Sequence, residues 1–228
     1  MIHAYGEPDP PVPRLLAALA GRGHAVGGGP VPGRASTLVL SAGSTFDPAA
    51  LGVLLGAWRS AAGARVLVLS SLGAHPDARA ARLRWLWRLE EHARASGLPV
   101  LTLRLGPLVG PRSPLWLKLR RQPRLPGRGE KLLNPVAETD AVETLERALD
   151  GRAAWEGWYE VAGPKVMSLA DLATLARAAG PAQLEERGAW EPPMRELKEH
   201  RLAEAEPWLG HFSMTARPIA EQALQWAA

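Results

Sequence analysis

The chain has no cysteine, which excludes disulfides, thiolate nucleophiles and cysteine-ligated metal. Tyrosine and phenylalanine occur twice each. A tyrosine acid or base must therefore be Tyr5 or Tyr159. Lysine is limited to Lys118, Lys131, Lys165 and Lys198, so arginine carries most of the positive charge. Long hydrophobic runs are also missing: stretches such as 66–69 are far too short to cross a bilayer. The opening MIHAYGEPDPP has no basic region leading into an apolar stretch, the pattern of a secretory leader. A cytoplasmic location is the expectation.

What is present is a globular chain. Its 228 residues, 46% hydrophobic, suit one large α/β domain or a domain with a small appendage. The formal charge is +4. Nucleic-acid binders concentrate such charge on one face or arm. Only the segment 118–131 does so here, with Lys118, Arg120, Arg121, Arg124, Arg128 and Lys131. Its interleaved leucines and prolines offer no stacking aromatics, so no nucleic-acid partner is expected. The six histidines do not cluster, and no metal motif is present.

Strand and helix patterns alternate. Short strands are expected near 1–6, 25–26, 36–40, 65–70 and 99–103. Between them lie helices from Pro13 to about Gly21, from Asp47 or Pro48 to about Ala62, and from Pro76 to Gly97. In the last, Leu83, Leu86, Trp87, Leu89 and Ala93 share an apolar face, and Trp85 points away from it. A helix over 138–149, a strand over 158–162 and a helix to Ala179 opened by Ser168 and Asp171 follow. Helices over 194–206 and 218–227 complete the reading. Such alternation predicts a parallel sheet covered on both faces. The domain expectation is a Rossmann-like domain over 1–150 and a small, helix-rich C-terminal lobe over 151–228.

The order of RLLAALAGRGHAV, STLVLSAGS, RVLVLSS, EEHARASGLPVLTLRLGPLVGP, LLNPVAETDAVETLERALD and WYEVAGPKVMSLADLATLA resembles the atypical and extended short-chain dehydrogenases/reductases. The likeness is strongest to NAD-dependent epimerases/dehydratases and the related complex I accessory subunit, and it spans about residues 1–180. It implies a Rossmann-like, doubly wound α/β fold. Only some ten residues separate Val26 from Leu38, so one edge strand and its helix are expected to be missing.

The resemblance also implies site residues. The phosphate-binding turn G-x-x-G-x-x-G falls on Gly6, Asp9 and Val12, so one glycine of three is retained. Pro8, Pro10 and Pro11 have no N–H to offer a diphosphate, and Asp9 would repel it. The strand expected to read the ribose ends in Gly27, Gly28 and Gly29, with Arg34 as a basic alternative. The tyrosine and lysine of the family fall on Arg82 and Leu86, neither of which can serve as general acid or base. If a dinucleotide binds, the resemblance assigns Gly6, Ala42, Gly43, Ser70, Ser71, Arg104, Gly106 and Pro107 to it. Ser70, Ser71 and His75 are the candidate catalytic residues.

The favoured expectation is a divergent protein without the family's Tyr/Lys catalysis, acting as a binding, regulatory or scaffold module. The alternative is an NAD(P)-dependent oxidoreductase or epimerase with a non-standard site. Partners expected are a second copy through the Trp85 helix or a protein assembly. A phosphate-bearing or acidic ligand is expected at the basic segment.

Overall fold

The computed structural model describes residues 1–5, 11–28, 37–41, 47–121, 124–179 and 197–226. Gly6, Asp9, Gly29, Arg34, Ala42 and Gly43 lie outside the described residues, as does all of 180–196. In chain order the first elements are β1 (Ile2–Tyr5), α1 (Pro11–Gly21), β2 (Val26–Gly28), β3 (Thr37–Leu40), α2 (Pro48–Arg59), β4 (Arg65–Ser71), α3 (Ala81–Ala95) and β5 (Val100–Leu105). Then come β6 (Leu108–Val109), α4 (Pro114–Arg121), β7 (Leu132–Leu133), β8 (Val136–Ala137) and α5 (Glu138–Leu149). The last are β9 (Trp158–Val161), β10 (Met167–Ser168), α6 (Leu169–Ala178), α7 (Glu206–His211) and α8 (Ile219–Trp226).

The chain divides into two compact units, one comprising Met1–Leu105 with Val142–Glu160, the other Gly106–Ala141 with Val161–Ala228. The sequence reading placed one boundary near residue 150. The division seen here instead crosses the chain three times, because 142–160 return to the first unit and add its edge strand.

The first unit carries a six-stranded sheet in the order β2-β1-β3-β4-β5-β9. Strands β1 to β5 run parallel. Just one strand, β2, lies beyond β1, so among the described residues the edge is shortened as expected. Leu38, Leu40, Val66 and Val68 of the sheet pack with Leu51, Leu55 and Trp58 of α2 and with Leu83, Leu86, Leu89 and Ala93 of α3. Asp47 starts α2: its Oδ1 accepts from the amides of Ala49 and Ala50 at 2.9 and 3.3 Å, satisfying donors that every helix start leaves open. Gly97, at φ +75°, lies just beyond α3, where the left-handed region favours glycine.

Two helix expectations need correction. α3 begins at Ala81 and not at Pro76. The amide of Ala78 donates to His75 O at 3.2 Å, and the Arg84 guanidinium donates to the carbonyls of Ala78 and Arg79 at 2.6 and 2.9 Å. Those bonds hold 76–80 as turns. The helix expected over 194–206 is absent from 197–205, and α7 starts at Glu206. The backbone of Arg201 is committed elsewhere, donating to Leu132 O at 2.9 Å and accepting from Asn134 N at 3.0 Å.

Trp85 also differs from expectation: it is part-buried and packed against the core cluster, with the Arg88 guanidinium 5.1 Å from its ring centroid. Trp87 is part-buried too. At about 100° per residue, the two rings flank the Leu83–Leu86–Ala93 stripe on opposite sides.

The second unit has its own core. Trp116 and Leu119 of α4 pack with Leu169, Leu172 and Ala176 of α6 and with Ile219 and Ala223 of α8. The rings of Trp116 and Trp226 meet edge to face at 5.0 Å. Two small sheets, β6 with β8 and β7 with β10, complete it. The capping box expected at Ser168 is present: its Oγ accepts from Asp171 N at 3.0 Å, and the Asp171 carboxylate accepts from Ser168 N at 3.1 Å. Gly163 is required for space, since a Cβ there would lie 1.9 Å from Pro135 O.

Candidate functional site

The site examined by the sequence lies at the carboxyl ends of β4 and β5, where open parallel sheets place their ligands. Ser70 and Arg104 are partners in register across β4 and β5, so their side chains share a face. It is the face of Val66, Val68 and Val100, which joins the core beneath α3. From α3 a residue the sequence reading missed, Glu90, reaches both. Its carboxylate is fully buried. Ser70 Oγ donates to Glu90 Oε1 at 2.5 Å. Arg104 Nε donates to both carboxylate oxygens at 3.1 and 3.2 Å, and Nη2 donates to Oε2 at 2.7 Å.

The same guanidinium stacks on Trp158 of β9, 4.4 Å from the ring centroid. Glu160 lies two residues on. Burial holds its carboxyl above the usual range, with Arg104 opposing that shift and the Glu90 charge adding to it. One arginine thus serves a buried carboxylate, an indole face and the field at a second carboxyl. A signal for Glu90 existed: by helical phase it falls among Leu83, Leu86 and Ala93, inside the apolar stripe. A carboxylate there must meet a cation or be expelled.

The other predicted residues divide. Leu86, at the lysine position, is 1% exposed within the core. Arg82, at the tyrosine position, is part-exposed on α3. Ser71 is part-exposed at the strand end, and its carbonyl accepts from Ala74 N at 3.0 Å. His75 is exposed, and its Nδ1 accepts from Asp77 N at 3.2 Å. Gly106 and Pro107 belong to the second unit. There Gly106 N donates to Val161 O at 2.8 Å, and Pro107 O accepts from Val136 N at 3.0 Å. Both backbones thus hold short strands together.

The start of α1 bears on the expectation of a dinucleotide. The helix N-terminus that would face its diphosphate is α1, which starts at Pro11. Pro11 and Pro13 remove two of the first N–H donors. Val12, at the third glycine position, is 3% exposed and part of the core. Among the described residues no group of three or more His, Asp or Glu side chains could hold a metal ion. No described helix is long and apolar enough to cross a membrane.

No family model matches the chain, and no curated protein does. Solved structures do. They share a Rossmann-like α/β fold, a parallel sheet flanked by helices, and this chain has that fold. MoeE5, solved with UDP-glucuronic acid and NAD, is 18% identical with a TM-score of 0.72, covering 99% of this chain and 98% of its own. The Thermus thermophilus UDP-glucose 4-epimerase complex with NAD is 14% identical with a TM-score of 0.65, covering 100% and 98%. TunA, an NAD-dependent NDP-hexosamine 5,6-dehydratase, is 17% identical with a TM-score of 0.66, covering 99% and 96%.

Proposed function

We propose that this protein is a divergent short-chain-dehydrogenase-like module that binds or regulates without the Tyr/Lys acid–base pair. The observation that carries the reading is the closed Ser70–Glu90–Arg104 cluster beside Leu86. The hydroxyl and the guanidinium at the strand ends are both engaged by one buried carboxylate. The lysine position is core. The proline-rich start of α1 supports loss of the diphosphate site. In this reading a phosphate-bearing or acidic ligand is taken by the basic segment 118–131, and a second copy or another protein is the partner. The test is titration with NADH and NADPH, followed by energy transfer from tryptophan. Neither should bind at millimolar concentration, and micromolar affinity for either would overturn the reading.

The second reading is an NAD(P)-dependent oxidoreductase or epimerase with a non-standard site. Two observations favour it: the chain spans nearly the full length of structures solved with NAD, and Ser71 and His75 reach solvent. On that reading Ser71→Ala weakens nucleotide binding or turnover. On the first reading Ser71→Ala changes neither.

A further inference from the structure

Arg120 lies in the last turn of α4. Its Nε and Nη2 atoms are shut away from solvent, and among the described residues neither has a hydrogen-bond acceptor. Charged donors buried without acceptors are costly, and a native structure that keeps them calls for a further group. Nε–H and Nη2–H lie on one edge of the guanidinium and point the same way. Arg104 shows what this edge takes: its own Nε and Nη2 grip the two oxygens of Glu90. The ligand this edge fits is therefore an anion presenting two oxygens side by side.

The surroundings select among such anions. Between 118 and 131 the sequence holds six basic residues and one acid, Glu130, a balance of +5. That field favours a dianion over a carboxylate. Arg121, Arg124 and Arg128 are exposed and solvated, so they contribute field without an unmet bond. Arg120 as a whole is part-exposed.

We propose that the Nε/Nη2 edge of Arg120 is the seat of a phosphate-binding site on the second unit. The proposal rests on the reading of this chain as a binding module and gives that module a ligand class. The two fail separately: the nucleotide titration addresses α1 and the strand ends, whereas inorganic phosphate addresses Arg120.

The experiment is calorimetric titration of inorganic phosphate into the full chain, in a zwitterionic buffer at low salt, with thermal melting in parallel. The wild type and Arg121→Gln should bind saturably and melt higher with phosphate. Arg120→Gln should weaken binding by roughly tenfold or more, the loss of two charge-assisted bonds. Arg120→Lys, which keeps the charge and the fold but lacks the edge, should also bind weakly, so the test survives if Arg120→Gln unfolds. Acetate should bind less tightly than phosphate. Non-saturable binding by the wild type, undiminished binding by Arg120→Lys, or acetate binding as tightly as phosphate would each overturn the proposal.

Discussion

Arg104 and Arg120 turn the same edge of the guanidinium inward, and only Arg104 meets a carboxylate there. Arg104 stands opposite Ser70 in register, under Glu90, with Trp158 on its face. Both donors on that edge are used, so this buried ion pair is satisfied within the fold. Arg120 has the same donors and, among the described residues, no acceptor for them. The sequence weights the two equally, as basic residues in a basic chain. What separates them is which carboxylate the fold brings within 3 Å. The paired arginine holds structure together, whereas the edge of Arg120 is the proposed phosphate seat.

The strongest way to break the contrast is to make Arg104 resemble Arg120. Glu90→Ala strands a buried guanidinium and should destabilise the first unit by about 3–5 kcal/mol, read by chemical denaturation. Adding Arg104→Met to Glu90→Leu should recover most of that loss, because a well-packed apolar pair avoids the desolvation penalty. A double-mutant cycle gives the coupling, and a double variant as unstable as Glu90→Ala would refute the account. Ser70→Ala should cost less, about 1.5 kcal/mol, since one hydrogen bond to a charged acceptor is lost and Arg104 remains.

The smallest effect sharpens the comparison through pH. Burial raises the Glu160 carboxyl in the folded state. The folded protein therefore binds this proton more tightly than the unfolded chain. Its contribution favours the fold at low pH and is lost as pH rises through the raised value. Glu160→Gln should be more stable than wild type at neutral pH, with the difference shrinking on acidification below the ordinary glutamate range. Denaturation midpoints at pH 7 and pH 4 check the sign.

Much of this fold was legible in the sequence. β4 and β5 announce themselves as short apolar runs, Asp47-Pro48 as a helix start and Ser168 with Asp171 as a capping box. Each is a local signal, set by side-chain bonds to nearby amides or by period. The expected shortening of the sheet beyond β2 follows from chain length alone, since ten residues cannot supply another strand and crossover helix. The turns over 76–80 were not legible, because Arg84 reaches back to carbonyls that a helix would have used. Nor was the chain around Arg201, whose backbone pairs with residues some seventy positions away.

The candidate site was half legible. Ser70 and Arg104 were named through the family resemblance, but their common partner sits in the middle of an otherwise apolar helical stripe. Helical phase put Glu90 there, and periodicity has no way to say what stands across from it.

By itself the sequence determined the alternation of strands and helices, the helix start at Asp47 and Pro48 and the prolines at the start of α1. These follow from residue identity and local spacing. Tertiary structure alone decided that Ser70 and Arg104 are bound to Glu90, while the edge of Arg120 has no acceptor among the described residues. Such pairings depend on distances between segments far apart in the chain, and only the folded packing sets those.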